Sequence, residues 1–135
     1  MKITFSKIHF GNSYKNYAIN SNKICEIYND DGVLSRKIIY DSFDRDIQAI
    51  TYDKEGNVTE EMYKTYTNDG YIENFKSKSL QYLRKCYSTI INNYKHEIEE
   101  YVSITNPKSN YLYEKIRNVQ NNKLIKFICN GKTIL

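Results

Sequence analysis

The sequence predicts an α+β domain, built as a twisted antiparallel sheet of about seven to nine strands with one long amphipathic helix packed on it. Three observations lead to this expectation. Alternating apolar and polar runs separated by short turns fill the first half, a helix-like apolar spacing covers 77–103, and alternating runs return over 108–135. A length of 135 residues suits one core, so we expect a single domain over 1–135.

The segment 1–76 is predicted to be a region of repeated β-hairpins. It opens with the alternating run KITFSKIHF, after which KICEIY and VLSRKIIY flank the turn NDDG, and IQAITY and VTEEMYKTY flank DKEGN. Tyrosines precede the connections with spacings of 12, 12 and 14 residues: Tyr28, Tyr40, Tyr52 and Tyr66. Such spacing is typical of the up-and-down strands of an antiparallel meander.

The segment 77–103 is predicted to be an amphipathic helix of about six turns or more. Its apolar residues recur at i, i+3, i+4 and i+7: Leu80, Leu83, Tyr87, Ile90, Ile91, Tyr94, Ile98 and Tyr101. Ser77 or Ser79 can cap its start, and Pro107 lies in the run SITNPKSN that ends it. We expect its apolar stripe to lie across one face of the sheet.

The segment 108–135 is predicted to return to strands. The alternating runs YLYEKIRNV, KLIKFIC and KTIL are separated by QNN and by an Asn-Gly pair. Asn130-Gly131 is a sequence typical of a two-residue type I′ hairpin turn.

The charges are distributed unevenly along the chain. Residues 1–25 carry four lysines and no acid, whereas 26–75 carry twelve acidic against five basic residues, and 76–135 carry eleven basic against four acidic residues. The local balances of +4, −7 and +7 give the overall net charge of +4. Ordinary solvated surface explains this pattern, and so does a molecule with an acidic and a basic face that steer charged partners.

No catalytic constellation, metal site or cofactor site is predicted. The two histidines, His9 and His96, stand apart from the three cysteines, and the chain has no CxxC, HExxH, GxSxG or phosphate-binding glycine motif. A Cys–His pair formed by the fold stays open at this point, because distance in sequence is not distance in space. We predict that the protein is not an enzyme.

The sequence also predicts a cytoplasmic protein. No apolar run reaches the length of roughly 18 residues that a membrane span needs. The first residues alternate and lack the continuous apolar stretch of a signal peptide. The widely spaced cysteines Cys25, Cys86 and Cys129 are expected to be free thiols in a reducing compartment.

The run Tyr52-Asp53-Lys54-Glu55-Gly56-Asn57-Val58 resembles the hairpin repeats of YD-type and related bacterial proteins. Tyr28-Asn29-Asp30-Asp31-Gly32-Val33 and Tyr66-Thr67-Asn68-Asp69-Gly70-Tyr71 are looser copies. Tyr40-Asp41-Ser42-Phe43-Asp44 lacks the glycine, which argues against a hairpin turn there. The resemblance implies a β scaffold and no activity.

In type, the whole chain is similar to the small immunity proteins of bacterial toxin systems, including contact-dependent growth inhibition. That resemblance implies a single cytosolic domain without catalytic residues that binds a cognate toxin. Aromatic anchors and complementary charge suit such a role. Because many such toxins are nucleases with basic clefts, we predict that the acidic hairpin region occludes the toxin's active cleft. The predicted contacts are Asp30, Asp31, Asp53, Glu55, Glu60, Tyr63, Tyr66 and Asp69.

The alternative function is binding of single-stranded nucleic acid. Tyrosines interleaved with Lys and Arg, as in YLYEKIRNVQNNKLIKF and YLRKCY, can stack bases and neutralise phosphates when they share a sheet face. The acidic middle of the chain and the lack of an RNP-type motif weigh against it.

Overall fold

The structure is a computed structural model that describes residues 2–9 and 12–134 of the chain, with side-chain exposure described from Ser13 to Ile134. It is nearly all antiparallel β-structure. The described residues form eleven strands of six or more residues, a two-residue strand and a single 3-10 turn, Pro107–Ser109. Contacts divide the chain into two compact units, which are described separately.

The first unit comprises the residues up to Lys64 together with Phe75–Lys78. Its strands follow one another in the order of the chain, each antiparallel to the next. The bounds of the strands that begin here are β1 (Lys2–His9), β2 (Asn12–Ile19), β3 (Asn22–Tyr28), β4 (Leu34–Tyr40), β5 (Asp46–Tyr52) and β6 (Val58–Tyr66).

Strand register assigns the side chains of the first unit to two faces, because directly paired residues point the same way. The Glu26 face carries the row Tyr17, Ile24, Ile39, Gln48 and Tyr63. The Cys25 face carries the row Asn16, Cys25, Ile38, Ala49 and Met62.

The second unit comprises Thr65–Asn74 and the residues from Ser79 onward. It is again a meander in which sequence neighbours are sheet neighbours. Its strands are β7 (Gly70–Ser77, whose last residues lie in the first unit), β8 (Gln81–Ile91), β9 (Tyr94–Ser103), β10 (Tyr111–Asn118), β11 (Leu124–Cys129) and β12 (Lys132–Thr133). Its Arg84 face carries the row Cys86, Glu99, Tyr113 and Cys129, and its His96 face carries the row Thr89, His96 and Ile116.

The predicted helix over 77–103 is wrong, and with it the α+β class. The segment forms β8 and β9 instead, joined by a tight turn at Asn92-Asn93. Both asparagines have positive φ, 52° and 67°, which asparagine tolerates and which a type I′ hairpin turn requires. Thr89, Ile90 and Ile91 before the turn are β-branched and favour strands. Pro107 does not end a helix, but lies in the 3-10 turn after β9.

One type of turn occurs three times in the first unit, but not at the three places that the glycines indicate, because the turn after Tyr66 is bonded differently, with Thr67 N–H donating to Gly70 O. Three turns, Asn29–Val33, Asp41–Arg45 and Asp53–Asn57, begin 12 residues apart and share the same backbone hydrogen bonds. In each turn, Oδ1 of the first residue accepts from the backbone N–H groups two and four residues later. The turn expected to be absent forms because Asp44 has φ 61°, in the place of Gly32 (φ 75°) and Gly56 (φ 85°).

Little of the chain is deeply buried. Among the side chains described, Ile24 and Ala49, each 6% exposed, are the only buried apolar ones, while Glu73 and Ser103 are the buried polar ones. Most strand residues are half-buried, as expected where both faces of a sheet meet solvent.

The predicted Asn130-Gly131 turn is confirmed, with φ values of 50° and 79°.

Candidate protein-binding site

Four of the predicted contacts lie together at one end of the first unit. Successive turns of an antiparallel meander alternate between the two ends of the sheet, so the turns Asn29–Val33 and Asp53–Asn57 share an end. They are two strands apart, which separates them by roughly 10 Å. We call the four carboxylates of these turns the acidic edge: Asp30, Asp31, Asp53 and Glu55.

Side-chain hydrogen bonds fix one of these carboxylates, that of Asp53. Asp53 begins its turn and accepts hydrogen bonds from the backbone N–H groups of Asn57 (2.8 Å) and Glu55 (2.9 Å). These donors, led by Asn57, hold the pKa of Asp53 below its ordinary value, so the carboxyl stays ionised well into the acid range. Asp30, Asp31 and Glu55 are exposed at the turn tips.

The carboxylates of the acidic edge have no cationic partner among the described side chains. The opposite end of the same unit differs, because each of its acids has a partner. Arg45 Nη2 lies 2.9 Å from Asp41 Oδ2, Lys23 Nζ lies 2.5 Å from Asp44 Oδ1, and Lys64 Nζ lies 3.2 Å from Asp46 Oδ2. The four carboxylates of the acidic edge therefore lack a described ion-pair partner, while Lys54, exposed in the same turn as Asp53 and Glu55, offsets part of their charge.

A cleft of about 470 Å³ adjoins the acidic edge and is lined in part by Asp53 and Glu61. Lys76 and Lys78 line it as well, so the negative potential is strongest at the turn tips and weaker within the cleft. Glu61 is a carboxylate that the sequence analysis missed. Its position is known only from the sheet register, in which Glu61 pairs with Ile50 of β5.

The remaining predicted contacts do not all join this surface. Glu60 pairs with Thr51 near the same end and is exposed, but Tyr63 lies on the other face of β6 with 44% of its surface exposed. Tyr66 and Asp69 belong to the second unit. There, the ring of Tyr66 lies 5.9 Å from that of Tyr71, and Asp69 accepts a hydrogen bond from the Thr67 hydroxyl.

The Arg84 face of the second unit holds a cluster of aromatic and charged side chains. A tyrosine ladder crosses it, with centroids 4.2–5.5 Å apart, formed by Tyr82, Tyr101, Tyr111, Tyr113 and Phe127. Beside the ladder, the buried carboxylate of Glu73 accepts hydrogen bonds from Tyr82 Oη (2.9 Å) and Arg84 Nη2 (2.6 Å). Arg84 Nη1 also lies 3.6 Å from Glu99 Oε1.

Most polar groups of this cluster have partners within it, but Arg84 Nε is buried without a hydrogen-bond partner among the described residues. Glu99 accepts from Tyr111 Oη (2.9 Å) and from Cys86 Sγ (3.5 Å). Burial, followed by the hydrogen bond to Glu99, raises the pKa of Tyr111 to about 12. Burial also raises the pKa of the Cys86 thiol, which keeps it protonated and weakly nucleophilic at neutral pH.

The Cys–His pair left open by the sequence does not form in the second unit. His96 lies on the opposite face of the sheet from Cys86. In the first unit, burial raises the pKa of the Cys25 thiol, and the side chain of His9 lies outside the described side chains. Within the described part of the chain, no group of three or more His, Cys, Asp or Glu side chains is placed to hold a metal ion.

A search for membrane spans across the residues with described structure found no helix of sufficient length and apolarity to cross a bilayer. Comparisons of the chain with protein-family models, with curated proteins and with solved structures gave no significant match.

Proposed function

We propose that this protein is a non-enzymatic protein-binding module, and that it neutralises a cognate bacterial toxin by placing the acidic edge in the toxin's basic cleft. The observation that carries the proposal is the contrast between the two ends of the first unit. The acids at one end have cationic partners, whereas Asp30, Asp31, Asp53 and Glu55 at the other end have none in the described chain.

Unpartnered carboxylates on two neighbouring turns suit recognition of a basic partner. Their mutual repulsion is unfavourable in the free protein, and a cationic surface relieves it on binding. The side-chain hydrogen bonds of Asn29 and Asp53 order the backbone of the two turns, so little backbone ordering is needed when the partner binds. Such charge raises association rates at low salt most strongly.

A nuclease is the class of toxin that fits best, because a cleft that binds phosphates is lined with Lys and Arg. The proposed inhibitor competes for that cleft by offering carboxylates in place of phosphates. A toxin of this kind acts on nucleic acid in the cytoplasm, which is where we propose that the protein works.

The proposal predicts that a toxin domain is encoded beside the gene for this chain, and the test expresses that domain together with the chain in a bacterial host. The wild-type chain should preserve growth, and the purified pair should associate more slowly as salt rises. The variant with Asp30→Asn, Asp31→Asn, Asp53→Asn and Glu55→Gln should associate at least about 10-fold more slowly and with a weaker salt dependence. Asparagine at 53 keeps Oδ1 as an acceptor, so the turn is retained.

A matched control removes an acid from the other end of the same unit. Asp44→Asn takes away one exposed carboxylate that pairs with Lys23, and it should leave the association rate nearly unchanged. Association kinetics that are identical for the wild type and the fourfold variant would rule out the acidic edge as the binding surface.

Single-stranded nucleic-acid binding is the second candidate, and the tyrosine ladder is the observation that favours it. Lys115 and Arg117 share the Arg84 face with the ladder. Two features weaken this candidate. The rings already stack on one another, with Tyr101 and Tyr111 only 3° from parallel, and Glu97 lies 3.5 Å from Arg117. Filter binding with mixed single-stranded DNA and RNA at two salt concentrations separates the candidates, since only the second predicts salt-sensitive retention.

A further inference from the structure

The end of the first unit opposite the acidic edge carries an exposed aromatic side chain beside an apolar cavity. Phe43 lies at the tip of the turn Asp41–Arg45 with 76% of its surface exposed, the largest exposed fraction among the large apolar residues described. The next residue, Asp44, lines a cavity of about 370 Å³ in the same unit.

The cavity is suited to a ring. Its walls include Ala18 and Tyr40, which share the Cys25 face, and the thiol of Cys25 contributes a further apolar surface. Burial raises the pKa of both Cys25 and Tyr40, so both groups are neutral at physiological pH. The cavity opens to solvent, and its volume exceeds that of a phenyl group.

We propose that two copies of this chain associate through this patch, each inserting Phe43 into the cavity of the other. In an isologous interface, one patch must carry both the projecting group and the cavity that receives it. Here the projecting group is Phe43, and the cavity is lined by the next residue, Asp44. The patch meets that requirement, whereas the acidic edge does not, since it would oppose like charges across a two-fold axis.

The charges at the rim are self-complementary as well. Lys23 and Asp44 are both well exposed, at 64% and 68%, and form an ion pair at 2.5 Å. A two-fold axis beside Asp44 brings each of these charges near its opposite on the second copy, so the pair can be exchanged without leaving a charge uncompensated. Arg45 lies over the Phe43 ring at 5.1 Å from its centroid, which leaves the other ring face for the partner cavity.

Sedimentation equilibrium of the full chain tests this proposal. The wild type should be a reversible dimer at about 100 µM, and Phe43→Ala should weaken self-association roughly 1,000-fold because each dimer loses two aromatic anchors. Val58→Ala, which trims an exposed apolar residue at the acidic edge, should leave the association constant unchanged.

A complementation experiment guards against variants that merely misfold. Ala18→Leu should fill the cavity and abolish self-association while leaving Phe43 in place. Mixing Phe43→Ala with Ala18→Leu should restore a heterodimer, because one intact ring then meets one intact cavity. A wild type that stays monomeric at about 100 µM, or a mixture that associates no more tightly than either variant alone, overturns the proposal. Because the binding assay with the toxin domain uses other residues, its result stands independently.

Discussion

Glu26 lies at the centre of a hydrogen-bonded cluster on the Glu26 face of the first unit. Its carboxylate accepts hydrogen bonds from the hydroxyls of Tyr17 and Tyr28, and its sheet neighbours are Lys15 and Lys37. Desolvation raises the pKa of Glu26, but the two tyrosines and the lysines lower it more, and the net shift is downward. In a sheet with few buried apolar side chains, such cross-strand clusters supply a larger share of the stability.

The lowered pKa of Glu26 predicts how the stability of the fold changes with pH. A carboxyl whose pKa is lower in the folded state contributes stability above its unfolded pKa of about 4.5, and this is lost as pH falls through the folded value. Glu26→Gln should therefore lower the free energy of unfolding at pH 7 by about 1 kcal/mol. It should also lose less stability than the wild type on acidification.

Urea unfolding at neutral pH and at about pH 3 measures this difference. Glu60→Gln is the control, since Glu60 is exposed and has no described hydrogen-bond partner. A Glu26→Gln variant with the same acid sensitivity as the wild type would contradict the role assigned to the cluster.

Gly70 supports a second prediction at the scale of one residue. A Cβ added there would lie 1.8 Å from the carbonyl oxygen of Cys86, so β7 and β8 approach more closely than any other residue allows. At Gly56, in contrast, a Cβ would meet nothing within 4 Å, and only the φ of +85° disfavours it.

Gly70→Ala should thus destabilise the protein by about 3 kcal/mol, against about 1 kcal/mol for Gly56→Ala. Thermal and urea unfolding of the two variants decide the comparison. Equal losses would mean that the close approach of β7 and β8 relaxes at little cost.

Among the elements, the hairpin of β8 and β9 shows why part of the fold was not predictable. A helical spacing of four residues is also an even spacing in a strand, so Leu83, Tyr87 and Ile91 share one face of β8. Asn92-Asn93 decides between a helix and two strands, because both residues tolerate positive φ in the middle of the run. Weighing that pair as a turn would have divided the predicted helix into two strands.

The other elements were easier to predict because their turns carry glycine or aspartate. Glycine at 32, 56 and 131 marked three turns, and the twelve-residue spacing of tyrosines marked the strands between them. The turn at Asp41–Arg45 was not expected because aspartate at position 44 replaces the glycine. Aspartate adopts the left-handed conformation more readily than most residues. The turn motif therefore accepts aspartate as well as glycine at its fourth position.

The hairpin turn at Asn92-Asn93 is testable. Replacement of both residues by alanine should lower the free energy of unfolding by about 2 kcal/mol, because alanine pays the full cost of positive φ. Asn93→Gly should be at least as stable as the wild type.

Far-ultraviolet circular dichroism should show a β-type spectrum for the wild type. A helical spectrum would contradict the strands of this segment.

At the scale of the whole molecule, the first unit carries two different surfaces at its two ends. Its acidic edge carries charges of one sign without partners, and its opposite end carries balanced charges beside an apolar cavity. The sequence placed Asp30, Asp31, Asp53 and Glu55 in turns, but their ion-pairing state depends on which turns share an end. That knowledge requires the strand order, which residue composition does not contain.

The two surfaces should be separable by mutation. The fourfold acidic-edge variant should keep wild-type self-association while it loses fast binding to the toxin domain. Phe43→Ala should do the reverse, with association to the toxin domain within about twofold of the wild type. Sedimentation and stopped-flow binding on both variants test this. A variant that impairs both properties would show that the two ends are coupled.

The twelve-residue period also constrains how such a chain can lengthen over evolutionary time. One period adds one strand and one turn, which reverses the direction of everything that follows and moves later turns to the other end of the sheet. An insertion between the turns at 29–33 and 53–57 must therefore span two periods, about 24 residues, to keep both turns at one end of the sheet. Lineages that gain or lose odd numbers of periods would redistribute their charges, and with them the partners they recognise.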